Sequence, residues 1–246
     1  MRKIVFIFFI LNLFLLQSCS FNSEVTYYKD STSTITADLY MKEMITSMKS
    51  MFSDSLVSKK DLEEIEKFPR TWTSVYDFEK MKDGKVATQN PDSIRLMKKV
   101  FMKSNFEDKD FTGISLKMDR FSPSDYDYIK KGFSKTDNLP VDINTVNNWN
   151  GKNLIINTEN FNKDMLPNID DSEKTEEALQ MVKMMYQNIS VTLKFENKIK
   201  SITGKHDWVI PVDDHTVKIT YDMETISGES KTPLTHADKK IVIVTE

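Results

Sequence analysis

The constraint that most narrows the fold is a set of segments whose apolar side chains recur at every second position. Ile114, Leu116 and Met118 alternate with Ser115, Lys117 and Asp119, and Ile189, Val191, Leu193 and Phe195 alternate with Ser190, Thr192 and Lys194. Val217, Ile219, Tyr221 and Met223 repeat the pattern, and Ile241 to Val244 is a short, wholly apolar run. Residues two apart on a strand share a face, so each alternating segment predicts a strand with one dry and one wet side. Sheets wetted on one side are characteristically antiparallel. Further strands are expected over Ile35 to Tyr40, at Val141 and Ile143, at Leu154 and Ile156, and over Trp208 to Val212. Asn150-Gly151 and Asp213-Asp214 supply the turns, Asn-Gly being the strongest short hairpin signal.

Helical spacing fills the intervals. Met41, Met44, Ile45, Met48, Met51 and Phe52 trace one helix face, and Asp61 to Phe68 reads as a short helix stopped by Pro69. Thr71 to Met81 carries Trp72, Val75, Tyr76 and Phe78 and closes on a turn at Asp83-Gly84. Asn90 as N-cap with Pro91 in the first turn opens a helix bearing Ile94, Met97, Val100 and Phe101, expected to end near Ser104. Ser122-Pro123 opens another with Tyr126, Ile129 and Phe133, closing around Lys130, Lys131 and Gly132, and Ser172 to Tyr186 is a last one with an acidic first turn. The predicted class is α+β: a mainly antiparallel sheet, curved if it follows the carrier pattern named below, with four or five helices packed on it.

The N-terminus has a different character. Arg2 and Lys3 precede an apolar run from Ile4 to Leu16 interrupted only by Asn12. Thirteen residues at about 1.5 Å each reach roughly 20 Å, short of a hydrocarbon core of about 30 Å, so the run reads as an export signal. Leu16-Gln17-Ser18-Cys19 follows it directly and resembles the lipobox of bacterial lipoproteins: an apolar residue, a variable one, a small one, then the cysteine to be alkylated. Cys19 is the sole cysteine, so no disulfide forms within the chain, and lipidation removes a thiol that export would otherwise leave free. The expected organisation is a lipoprotein signal peptide over 1–18, a lipidated tether over 19–24, and a single α+β domain over 25–246. Ser, Asn, Thr and Asp dominate from Ser20 to Ser33, which suggests a flexible stand-off of about 15 to 20 Å. Val25 and Tyr27 could equally begin the first strand.

Removing residues 1–18 takes away Arg2 and Lys3 and moves the formal charge from −3 to −5, a balance without a footprint for nucleic acid. Three groups invite chemistry. His206, His215 and His236, with Asp207, Asp213 and Asp214, could be imagined as a zinc or hydrolase site, but their spacing fits no ligand motif. Met41, Met44, Met48 and Met51, and Met181, Met184 and Met185, have thioethers suited to Cu(I), yet at helical spacing they read as core or pocket wall. Lys98, Lys99, Lys103, Lys130 and Lys131 read as a solvated face, and Trp72, Trp149 and Trp208 as core in preference to glycan platforms. Nucleophile motifs and phosphate loops are missing from the sequence, so no catalytic residue, metal ligand or cofactor is assigned.

Several stretches together resemble an uncharacterised flavobacterial (Bacteroidota) lipoprotein family: Tyr27-Tyr28-Lys29-Asp30-Ser31, Phe68 to Ser74, Asn148-Trp149-Asn150-Gly151-Lys152, Phe195 to Ser201, Gly204 to Trp208, and Lys239 to Val244. In pattern alone the chain is also similar to curved-sheet lipoprotein carriers of the LolA and LppX types. The resemblance implies a lipid-anchored cell-envelope protein and carries no activity with it. The expected role is therefore non-enzymatic, binding or structural, with the membrane through Cys19 and a hydrophobic ligand as candidate partners. The alternative is an envelope hydrolase or metal-binding protein using the His/Asp group or the Met clusters. The expected location is the outer membrane, on its periplasmic face rather than the cell surface, because only Glu24 is acidic just after Cys19.

Overall fold

The computed structural model describes residues 20–42, 68–132, 148–161, 188–226, 230 and 232–246. Two sheets share one core. The larger has eight strands: β1 (Ser20–Tyr27), β2 (Ser33–Tyr40), β3 (Thr73–Ser74), β4 (Val100–Glu107), β5 (Asp110–Phe121), β7 (Asn188–Phe195), β9 (Val209–Pro211) and β10 (Thr216–Tyr221), in the order β3-β4-β5-β2-β1-β7-β10-β9. Every pairing in it is antiparallel except that of β1 with β7. A smaller antiparallel sheet runs β6 (Asn153–Asn157), β11 (Lys240–Thr245), β8 (Ile199–Thr203). The helices described are α1 (Val75–Asp83), α2 (Pro91–Met97), α3 (Pro123–Gly132) and α4 (Met223–Ile226), with a 3-10 turn at Thr158–Asn160. The expected large, mainly antiparallel sheet is present, within a domain richer in strand than in helix.

The alternation explains the packing. Val25, Ile35, Leu193, Val217 and Ile219 share one face of the large sheet and are buried, as are Leu154, Ile156, Ile241 and Ile243 of the small sheet. These side chains form one cluster, joined by Tyr27, Trp149 and Phe195, whose rings lie within 5.6 Å of one another between centroids. Burying each large aliphatic chain contributes about 1.5 to 3 kcal/mol. The opposite face of the large sheet is polar: Glu24 pairs with Lys194 at 2.6 Å, Ser190 donates to Asn22, and Thr34 donates to Asp119. Both edges of this sheet are blunt, because β3 has two residues and β9 has three, including Pro211.

Local signals held where they were local. Asn90 caps α2, its Oδ1 accepting from the Asp92 and Ser93 backbone N–H groups, and Gly84 closes α1 in the left-handed region at φ 69°. Asn150 Oδ1 accepts from Lys152 and Asn153 N–H in the expected turn, and Trp149 bridges to Leu154.

Two expectations are corrected. The helix opened by Asn90 ends at Met97, not near Ser104, and Val100 and Phe101 begin β4. Val100, Met102 and Ser104 also satisfy alternation, and a ladder along β5 outweighs the helical spacing that Val100 and Phe101 share with Ile94 and Met97. The tether expected over 19–24 is the second correction, since pairing begins at Ser20 on both sides of β1. Asn22, Glu24 and Thr26 look like linker composition because they line the wet face of a central strand. Of the other expected elements, the Met41–Phe52 helix beyond Lys42, the helix from Asp61, the strand at Val141 and Ile143, Phe133 and the helix Ser172–Tyr186 lie outside the described residues.

Candidate functional site

The lipobox residues Leu16, Gln17, Ser18 and Cys19 lie outside the described residues, but the next residue, Ser20, is paired to Tyr40 of β2 and Asn188 of β7. This fixes which end of the large sheet adjoins Cys19. At that end β4 and β5 run past the Ser20 level: Tyr40 pairs with Gly113, Gly113 with Asn105, and two more pairs, Phe106 with Phe111 and Glu107 with Asp110, follow. The overhang carries an edge-to-face pair of Phe106 and Phe111, with the Arg70 guanidinium 3.9 Å from the Phe106 ring centroid. Lys42 bridges to Glu107 at 2.6 Å and Tyr40 donates to the same carboxylate at 3.3 Å. Their hydrogen bond raises the Lys42 ammonium and lowers the Glu107 carboxyl from their usual ranges.

The far end of the sheet gathers three of the stretches that carry the resemblance. The β1–β2 turn at 28–31, with Ser31 left-handed at φ 66°, exposes the Tyr28 carbonyl to the Trp149 indole N–H at 2.7 Å. Glu196 closes the group by accepting from the Lys29 N–H at 2.9 Å. Gly151 must be glycine here, since a Cβ would stand 2.7 Å from the Lys29 carbonyl oxygen at φ 90°. Arg120, left-handed at φ 50° in a bulge of β5, lays its guanidinium over the Tyr28 ring at 3.4 Å. These contacts lock chain segments together; the chemistry they offer is structural.

The six His/Asp candidates separate. His206 is buried against Phe161 and Trp208, and its Nδ1 accepts from the Trp208 N–H at 3.2 Å. Burial pushes His206 below the ordinary histidine range against the pull of Asp207 and Asp238. Asp207 contacts His236 Nδ1 at 3.2 Å and accepts from the Thr235 and His236 N–H groups, so it caps a turn. Its burial raises the carboxyl, but those N–H donors and His236 bring the net shift below the usual range. His215 sits elsewhere, its Nδ1 on the Phe195 carbonyl at 2.9 Å, beside Asp213 and Asp214 in the turn before β10, where Asp214 pairs with Lys198. Trp208, two residues from His206, is level with Thr220, and five residues of β10 at about 3.3 Å put roughly 16 Å between that level and His215. Among the described residues no three His, Cys, Asp or Glu side chains are grouped to hold a metal.

No family model and no curated protein matches the chain. Among solved structures, the NMR structure of the folded domain of LppM from Mycobacterium tuberculosis matches over 94% of this chain and 92% of that one, at 9% identity and a TM-score of 0.38. A likeness of that size carries no argument about function.

Of the methionines proposed for Cu(I), Met41 alone is described; it is half-buried and its N–H donates to the Thr112 carbonyl. Met44, Met48, Met51, Met181, Met184 and Met185 lie outside the described residues. Trp149 and Trp208 are core, whereas Trp72 is 37% exposed with Lys103 and Lys117 near its ring at 5.1 and 5.3 Å. Lys99 is not merely solvated: with Arg95 it holds the fully buried Asp125. Burial raises the Asp125 carboxyl, but Arg95, the Ser122 N–H and Lys99 outweigh it and hold the group well below the carboxylate range. Ser122-x-x-Asp125 is a capping-box spacing, and the two residues do cap α3 reciprocally, a signal readable from the sequence. Asp125's two cationic partners come from α2 and its C-terminal flank, which local spacing does not reveal. Among the described residues no helix is long and apolar enough to cross a membrane.

Proposed function

We propose that this chain is a lipid-anchored lipoprotein of the bacterial cell envelope, held at the periplasmic face of the outer membrane through Cys19, with a non-enzymatic binding or structural role. The observation that carries the reading is Leu16-Gln17-Ser18-Cys19 placed directly after a short apolar run with basic residues ahead of it. The fold is compatible with processing at that point, because cleavage before Cys19 leaves the whole of β1 intact. The resemblance to flavobacterial lipoproteins supports the same assignment. Two or three acyl chains, each contributing about 0.8 kcal/mol per buried CH₂, would make attachment effectively permanent. Within this role an apolar ligand is the favoured class, and Leu39, Val100 and Met118, half-buried against the core, extend the apolar face of the large sheet. Hydrolysis or metal binding by the His/Asp group is disfavoured by the wide separation of His206 from His215.

Labelling cells with radioactive palmitate tests the anchor. The wild-type chain takes up label and fractionates with the outer membrane, and Cys19→Ser removes the label. Equal labelling of both overturns the lipoprotein reading, and labelled protein in the inner membrane or open to protease on intact cells overturns the assigned location.

A further inference from the structure

We infer that the β4–β5 hairpin tip is a second point of membrane contact, lying in the lipid headgroup layer beside the anchor. This rests on the lipid anchor proposed for Cys19 and adds a geometry that the anchor alone does not imply. A lipoprotein domain on a tether samples many orientations, whereas here Cys19 is one peptide bond, about 3.8 Å between Cα atoms, from a residue hydrogen-bonded on both sides into the middle of an eight-stranded sheet. The sheet end at Ser20 is therefore tied to the bilayer surface. Along β4 the hairpin continues two residues past the Asn105–Gly113 pair that is level with Ser20, about 7 Å at 3.3 Å per residue, before the turn at Asp108 and Lys109.

The tip has the chemistry of the headgroup zone. Lys42 pairs with Glu107, Arg70 lies over the Phe106 ring, and Asp108, Lys109 and Asp110 form the turn: three charges of each sign, all on exposed or half-exposed side chains. Phe106 and Phe111 pack against each other behind them, so neither ring is offered to the hydrocarbon. With its charges balanced, the hairpin has no net attraction for an anionic surface. Proximity comes from the anchor, and contact is independent of salt.

The lone cysteine makes the test clean, because in the lipidated protein its thiol is consumed. A fluorophore is placed on Lys109→Cys at the tip, or on Lys29→Cys in the exposed turn at the opposite end of β1. Each lipidated protein is reconstituted in vesicles of phosphatidylethanolamine and phosphatidylglycerol that include a headgroup spin-labelled quencher lipid. The expected result is loss of fluorescence at position 109, none at position 29, and no change with salt. Inserting ten Gly/Ser residues after Ser20, which adds roughly 17 Å of mean reach, should restore the fluorescence at 109. Equal quenching at the two positions, no quenching at 109, or quenching that survives the insertion overturns the inference. Failure of the anchor reading is distinguishable, because mass spectrometry of the same preparation would then show an unmodified Cys19.

Discussion

Trp149 donates its indole N–H to the carbonyl of Tyr28 at 2.7 Å across 121 residues of chain. The same carbonyl also accepts from Ser31 N–H at 3.1 Å, so it keeps a partner when the indole is removed. Trp149→Phe should therefore cost only the bond and some ring area, about 1 to 2 kcal/mol, while Trp149→Ala should cost about 3 to 5. At about 2 to 4 °C per kcal/mol for a domain this long, thermal melts separate the two variants. Indistinguishable melting temperatures for both variants and wild type would show that the loop does not brace the turn.

Asp125 is fully buried between Arg95 and Lys99, which are 44% and 33% exposed. Because water can re-solvate the two cations, Asp125→Asn should cost less than a wholly buried pair, about 1 to 3 kcal/mol. The native carboxyl titrates below its unfolded value of about 3.9, so the unfolded chain binds more protons in acid. This stabilisation is complete above pH about 4 and is lost as the pH falls through the depressed native value. Urea midpoints measured from pH 6 downward should fall less steeply for Asp125→Asn than for wild type; parallel curves would remove Asp125 from the acid response.

Gly113 has φ 154°, and a Cβ there would stand 1.9 Å from the Leu39 carbonyl oxygen, a backbone atom in a paired strand. Gly113→Ala should prevent folding or leave a grossly destabilised domain. At Gly84 nothing lies within 4 Å of the built Cβ, and the cost of Ala is the left-handed φ of 69° alone, about 1 to 2 kcal/mol. Soluble yield and circular dichroism should rank the pair in that order.

Burial disfavours the charged form of His206 and lowers its titration, so folding is opposed where the unfolded histidine is charged. The contribution is complete above pH about 6.5 and is lost as pH falls through the depressed native value. His206→Asn can keep an acceptor for the Trp208 N–H while removing the titration. Its stability between pH 7.5 and 5.5 should therefore slope less than that of wild type, as read by urea denaturation; an unchanged slope would assign the pH response to another group.

What could be read from the sequence was whatever depends on neighbours within a few residues. The alternation in β7 and β10, the Asn90 cap and the Asn150-Gly151 turn were all visible. β1 was legible only as an alternative, in Val25 and Tyr27, because Asn22, Glu24 and Thr26 on its wet face read equally well as a tether until β2 and β7 were in place. β8 was concealed because Ile199 and Ile202 give too little apolar signal against Lys200, Ser201 and Thr203. The candidate anchor was legible because a peptidase reads it as linear sequence. The separation of the histidines was not, since it depends on the length of β10 and the position of β9 beside it.

The parallel pairing of β1 with β7 bears on how the protein is made. β1 leans on β2, which follows it at once, but its other flank is β7, and Ser20 to Tyr27 meets Asn188 to Phe195 in register. A chain delivered N-terminus first exposes one side of its central strand until more than three-quarters of its length has emerged. Such a sheet has high contact order and closes late. Under the export proposed above, in which the chain is threaded unfolded through a translocation pore, that delay would postpone compaction until passage is nearly complete.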